Sequence, residues 1–189
     1  MSNQPASTPT AAGAELRLSL RIRPMRLDDL PQVSVIDRLS FNLPWPESSF
    51  RYELLDNPRS LLRVAEIDLP GGGCQVVGAF VVWLILDEAH IATLAVHPDH
   101  RRSGVARSLM VDLLKEIIPQ GTRLATLEVR ESNVPAQSLY HRFRFSVVGR
   151  RLRYYHDNYE DALIMSLDNL DGAYLDWLER GGWHEGDAA

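Results

Sequence analysis

Between Gln75 and Val96 the chain runs for twenty-two residues, Q-V-V-G-A-F-V-V-W-L-I-L-D-E-A-H-I-A-T-L-A-V, with Asp87 and Glu88 as its sole acidic or basic side chains apart from His90. The acidic pair splits the run, and neither piece approaches the roughly 18 apolar residues that a membrane-spanning helix needs. Both pieces are apolar and β-branched, the composition of strands. A tight turn at Asp87-Glu88 is predicted to join Gln75–Leu86 to Glu88–Val96 as central strands. The chain continues with V-H-P-D-H-R-R-S-G-V-A-R and then takes a helical period over Gly104–Ile118, with Val105, Leu109, Leu113, Leu114 and Ile117 inward. Leu124–Val129 reads as a strand again. A strand, a helix and a strand in that order predict a right-handed parallel crossover.

The remaining elements are arranged around this centre. Leu16–Ile22 alternates and predicts a strand closed by Pro24 and Met25. Asp28-Asp29 opens a helix with Leu30, Val33, Ile36, Asp37 and Leu39 as its stripe. After N-L-P-W-P, Pro46 suits the first turn of a second helix over 47–55, with Phe50, Leu54 and Leu55 inward. Leu61–Ile67, Phe145–Val148 and Ala162–Leu167 predict further strands, and Val134–Phe143 and Leu170–Leu178 further helices. The order β-α-α-β-β-β-α-β-α-β-β predicts an α/β domain with one mixed sheet of about seven strands flanked by helices. Residues 1–15, rich in Ser, Thr, Pro and Ala, are expected to be a disordered tail. Residues 16–168 form the predicted domain, and 169–189 a helical extension.

With a formal net charge of −5 over 189 residues, a nucleic-acid binder working by bulk charge is disfavoured. The single cysteine, Cys74, excludes an internal disulfide and a thiolate metal cluster. No metal site is expected: His90, His97, His100, His141, His156 and His184 lack ligand spacing and are read as surface or loop residues. The start of the chain lacks a secretory pattern, so a cytoplasmic protein without membrane contact is the expectation.

The turn before the long helix carries Arg101, Arg102 and Arg107 around Gly104 and Ala106. A helix N-terminus presents unpaired N–H groups and partial positive charge, which suits an anion. Arginines there would add charge-assisted bonds to phosphate oxygens. The same residues also suit an ordinary helix start with solvated arginines.

R-R-S-G-V-A after the strand T-L-A-V resembles the acetyl-CoA pyrophosphate motif of the GNAT family of N-acetyltransferases. F-N-L-P-W-P-E-S-S-F, L-D-E-A-H-I-A-T-L-A-V, L-E-V-R-E-S-N-V-P-A-Q-S-L-Y and R-Y-Y-H-D-N-Y-E-D-A-L-I-M together resemble the RimI-type ribosomal-protein N-terminal alanine acetyltransferases. The resemblance implies acetyl-CoA as cosubstrate and a protein N-terminus as acceptor, that of the eighteenth small-subunit ribosomal protein. It also implies a splayed parallel strand pair at the sheet's centre. The donor would then contact Leu94, Ala95, Val96, Arg101, Arg102, Ser103, Gly104, Val105, Ala106, Arg107, Asn133 and Tyr140. Asn133 also suits the N-cap of the helix at Val134.

Acetyl transfer requires a deprotonated amine, a polarised carbonyl and a stabilised leaving thiolate. Glu128, mid-strand on one face with Leu124 and Thr126, is the candidate base, with a pKa expected to be raised by apolar neighbours. A solvated position on an edge strand is the bland alternative. Tyr140, on the stripe Ala136, Leu139, Tyr140, Phe143, is the candidate acid, or else a core tyrosine with a satisfied hydroxyl. The resemblance assigns both catalytic roles. Trp45, Tyr154 and Tyr155 are candidate substrate contacts, Tyr154 and Tyr155 on opposite faces if extended. Asp157, Glu160 and Asp161 would offer negative charge to a basic peptide, or would simply form a solvated loop. Two other functions fit the same residues: acetylation of a small amine or an internal lysine, and a non-catalytic CoA-binding sensor.

Overall fold

The computed structural model describes residues 19–184. The predicted tail, 1–15, lies outside the described residues, as does the start of the first predicted strand. Seven strands, β1 (Leu20–Pro24), β2 (Ser60–Asp68), β3 (Cys74–Ile85), β4 (Glu88–Val96), β5 (Leu124–Arg130), β6 (Ser146–Tyr155) and β7 (Glu160–Leu167), form one sheet in the order β1-β2-β3-β4-β5-β7-β6. All neighbours are antiparallel except β4 and β5, which are parallel. Five α-helices accompany them: α1 (Leu30–Ser40), α2 (Glu47–Leu55), α3 (Val105–Ile117), α4 (Val134–Arg142) and α5 (Gly172–Glu179).

The helices cover both faces of the sheet. Leu30, Val33, Ile36 and Phe50 of α1 and α2 pack on Val64, Val81 and Ala95. On the other side, Leu109, Met110, Leu113 and Ile117 of α3 pack on Val77, Phe80, Ile91 and Leu127. β3 feeds both cores, which accounts for its unbroken apolar run. Gly78 lets α3 sit close, since a Cβ there would lie 2.9 Å from Val105 Cγ1.

Three sequence-based expectations are corrected by the structure. Leu39 and Leu55 are exposed, 50% and 56%. At 100° per residue Leu39 lies about 180° from Leu30, and Leu55 lies about 140° from Phe50, so neither shares the buried face. The β3–β4 turn is made by Leu86 and Asp87, with Leu86 in the left-handed region at φ 57°. β6 does not stop at Val148. It runs on to Tyr155 along the sheet edge through irregular pairing, which hides its periodicity.

The feature that makes a site is at the centre. β4 and β5 pair from Glu88↔Leu124 to Ile91↔Leu127 and then part. Beyond that point β5 pairs on with β7 through Arg130, and β4 stays with β3 through Val96. A register shift opposite Val81/Val82 leaves Ala92 unmatched at the fork, a bulge that bends β4. The expected splay of the parallel pair is present.

Candidate active site

A cavity of about 700 Å³ opens at the fork. Its walls are the end of β4 (Leu94, Ala95, Val96), the start of α3 (Gly104 to Arg107) and the inner face of α4 (Ala136, Leu139, Tyr140), with Arg101, Arg102, Asn133 and Arg142 at its rim. The His97 N–H donates to Val77 O at 2.9 Å, so the backbone groups of Val96 and Leu94, at alternate positions, face away from β3. Gly104 caps α3 in the left-handed region, φ 90°, a conformation that favours glycine. The Ser108 N–H is the first to find an acceptor within the helix, at Gly104 O (2.9 Å). The preceding amides belong to the set that a helix start offers to an anion. These features fit the phosphate and pantetheine portions of a CoA thioester.

All the predicted donor-contact residues line this cavity except Ser103, whose hydroxyl turns back to donate to His100 O at 2.5 Å. Arg101 lines it too, but its guanidinium ties the end of β4 to α1. It donates to Val96 O (3.2 Å), Ser40 Oγ (3.2 Å) and Leu39 O (3.4 Å). Asn133 accepts from the Ala136 N–H at 3.2 Å, the expected N-cap.

Glu128 stands on β5 just past the fork, with its side chain 12% exposed. Its carboxylate lies 3.2 Å from His90 Nε2 and 3.0 Å from Arg151 NH2. The expected raised pKa is therefore corrected. The hydrogen bond from His90, helped by the charges of His90 and Arg151, outweighs burial and holds Glu128 below its ordinary value. His90 is not the surface or loop residue expected from the sequence. It is part-buried in mid-β4, in register with Trp83 on one side and Thr126 on the other. It stacks on Trp83 (5.5 Å between centroids, 17°), and its Nδ1 lies 3.2 Å from Thr126 Oγ1.

Tyr140 is 8% exposed, with its ring against Phe145 at 5.7 Å. Burial, and then the proximity of Tyr155, push its phenol above the ordinary value, so it keeps its proton throughout the neutral range. After burial and the Tyr154 neighbour, the charge of Glu128 is among the causes that raise the Tyr155 phenol. Burial pushes the Tyr155 phenol to about 12, and its ring carries the Arg130 guanidinium 3.8 Å from its centroid. Tyr154 and Tyr155 do not point to opposite faces. Arg153 takes φ 52° in the irregular stretch of β6, and the two rings meet edge to face at 5.2 Å.

The acidic set is not an open patch. Asp157 and Glu160 both pair with Arg130, at 2.8 and 3.1 Å, and Asp161 pairs with Arg150 at 3.2 Å. Asn42 of the α1–α2 loop also donates to Asp157 at 2.7 Å, which joins that loop to the β6–β7 turn. Trp45 packs on Phe50 (5.3 Å) and on Trp83 (6.3 Å), at the outer end of an aromatic row that leads to His90. Its backbone N–H donates to Asp37 at 2.7 Å.

Asp37 itself is 2% exposed, and burial pushes its carboxyl to about 6. A folded pKa above the unfolded value of about 3.9 means that folding favours the protonated form, so this contribution is present at low pH and lost as pH rises through about 6. Asp37→Asn keeps an acceptor for Trp45 and removes the titration. Relative to this variant, the natural chain is expected to lose on the order of 1–3 kcal/mol between about pH 4 and pH 7. Denaturant unfolding of both chains across that range measures the difference.

A mixed sheet with a forked parallel pair, a glycine-capped helix start facing the fork and titratable side chains at its mouth define an acyltransferase of the CoA-dependent type. The profile of the Acetyltransferase (GNAT) family matches residues 30–145, and the chain belongs to this family. It is an N-acetyltransferase, and the acyl donor of its family is acetyl-CoA.

Particular relatives narrow the comparison. A protein of Bacillus subtilis (strain 168), provisionally designated ribosomal protein bS18-alanine N-acetyltransferase, is 39% identical over 153 residues, 79% of this chain and 96% of its own. The ribosomal protein bS18-alanine N-acetyltransferase of Escherichia coli (strain K12) is 32% identical over 148 residues, 77% of this chain and 95% of its own. The crystal structure of the Escherichia coli ribosomal-protein-S18-alanine N-acetyltransferase superposes with a TM-score of 0.70 at 31% identity, covering 80% of this chain and 94% of that one. Among the described residues no helix is long and apolar enough to cross a membrane, and no group of three His, Cys, Asp or Glu is placed to hold a metal.

Proposed function

We propose that this enzyme acetylates the α-amine of an N-terminal alanine, that of small-subunit ribosomal protein 18, in the cytoplasm. The observation that supports the reading is the forked β4–β5 pair itself, with Tyr140 of α4 lining the cavity that opens there and Glu128 on β5 one residue past the last β4–β5 pair. Acetyl-CoA supplies the thioester whose acyl carbon the amine attacks. Glu128, ionised at neutral pH, takes the proton that the ammonium must shed, directly or through a water. An α-amino group with a pKa of about 7.7–8.0 needs only modest help near neutrality. Tyr140 donates a hydrogen bond to the sulfur as the carbon–sulfur bond breaks. The amide forms in the same transfer, without an acyl-enzyme. Cys74, exposed at the first residue of β3 and hydrogen-bonded with Arg21 and Asp68, is given no part in this reading. Trp45, Tyr154 and Tyr155 are read as walls for the extended acceptor.

Initial rates of CoA release test this with peptides carrying free N-terminal Ala, Ser or Met, the alanine peptide blocked at its N-terminus, an internal-lysine peptide and a polyamine. Turnover on free alanine that is abolished by blocking is the expected result. Turnover confined to lysine or polyamine would overturn the acceptor. Tight acetyl-CoA binding with no turnover on any acceptor would turn the reading towards a sensor.

A further inference from the structure

The segment after β7 has no role in the chemistry described above, yet it is built into the fold. Leu170, Tyr174 and Leu178 are buried in the α3-side core, and the Tyr174 hydroxyl donates to Phe143 O at 2.8 Å. The segment's last described turn, Gly182–His184, carries Trp183. The Trp183 ring stacks on Phe143 at the C-terminal end of α4, 6.2 Å between centroids and 20° between planes. The Arg107 guanidinium carbon lies over the same ring, 4.9 Å from its centroid. Arg107 stands in the first turn of α3 and lines the cavity. One indole thus touches the helices that form both walls of the cavity's cationic end. The turn that bears it is set tightly against a second indole: a Cβ on Gly182 would collide with Trp177 Nε1.

An arginine loses much side-chain freedom when it is fixed on a ligand, and holding it beforehand reduces that cost. A contact across an aromatic face occupies the plane of the guanidinium, whereas phosphate oxygens bond the N–H groups at its edge. We propose that Trp183 is a positioning residue for the acyl donor: its ring holds Arg107 at the α3 N-terminus, in place for the phosphates of acetyl-CoA. This rests on the reading of the fork cavity as the donor site.

The test measures acetyl-CoA binding by calorimetry, and steady-state kinetics with two donors, for the natural chain, Trp183→Leu, Trp183→Phe, Arg107→Ala and the Arg107→Ala/Trp183→Leu double variant. The second donor is S-acetylpantetheine, which lacks the nucleotide and its phosphates. Trp183→Leu is expected to weaken acetyl-CoA binding about 5- to 10-fold. KM for acetyl-CoA should rise in step, while kcat, KM for the alanine peptide and KM for S-acetylpantetheine stay unchanged. Trp183→Phe, which keeps an aromatic face, should recover most of the affinity. In the Arg107→Ala background the loss of Trp183 should add nothing further. Unchanged affinity in Trp183→Leu, or additive losses in the double variant, would overturn the proposal. So would a loss shared equally by S-acetylpantetheine, or by kcat together with a lowered Tm, which marks a purely structural role. Should Trp183→Leu not fold, Trp183→Phe and Arg107→Ala carry the same two-donor comparison. A natural chain that does not bind acetyl-CoA would instead sink the cavity assignment itself.

Discussion

Tyr140→Phe is expected to lower kcat by about 100-fold, the scale at which one preorganised donor to a developing anion is lost. KM for acetyl-CoA should stay within about twofold, because the ring and its packing on Phe145 remain. The reason lies in the direction of the pKa shift. A phenol of ordinary pKa, about 10, would hand its proton to a thiolate of pKa about 8.5 at some cost. Burial and Tyr155 raise the Tyr140 phenol further, so complete transfer is more uphill still. In the proposed mechanism the hydroxyl therefore stabilises the developing thiolate first of all as a fixed hydrogen-bond donor. An acyl donor with a less basic leaving thiol needs less stabilisation, so the Tyr140→Phe defect should shrink with such a donor. A defect of the same size for both donors would remove Tyr140 from the leaving-group side of the reaction.

Much of this architecture was legible in the sequence because a single period governed each stretch. Val105, Leu109, Leu113, Leu114 and Ile117 keep one helical face and are all buried. The apolar run of β3 was readable because both of its faces are covered. The helical pattern misleads where an apolar residue lies off the buried face by angle, as Leu39 and Leu55 do. The strand pattern also fails where the backbone leaves its period, as between Arg151 and Tyr155 of β6, where the Tyr154 and Tyr155 rings meet. His90 was missed for a different reason. Its importance depends on the register of β4 against β5, His90↔Thr126, which puts it one row from Glu128 on the same face. Register across a crossover is a tertiary quantity, and no local pattern in either strand encodes it. The pairing of Asp157 and Glu160 with Arg130 is of the same kind: charges nearly thirty residues apart cancel only once β5 and β7 are neighbours. A histidine in an otherwise apolar strand, H-I-A-T-L-A, was the available signal.

Glu128→Gln should cost more than the tyrosine, about 100- to 1,000-fold in kcat, within the range for removal of a positioned general base. Glutamine retains the shape and a hydrogen bond to His90 but cannot take a proton. The pH profile separates this from a structural effect. Because Glu128 is held below its ordinary value, it is ionised across the neutral range, and it cannot produce an acid limb there. The rise of kcat/KM with pH in the natural enzyme should then follow the acceptor's amine, with a midpoint of about 7.7–8.0. Replacing the acceptor by one with a less basic amine should move that midpoint down by the same amount. The sign of the His90 contribution can be read in the same experiment. Its hydrogen bond is the largest force lowering the Glu128 pKa, opposed by burial. His90→Phe removes the bond and leaves burial opposed by the Arg151 charge alone among side chains, so the Glu128 pKa should rise and an acid limb should move into the profile from the low-pH side. An unchanged profile in His90→Phe would show that Glu128 does not exchange a proton in the rate-limiting step. The assignment of the base would then have to move to another group at the fork.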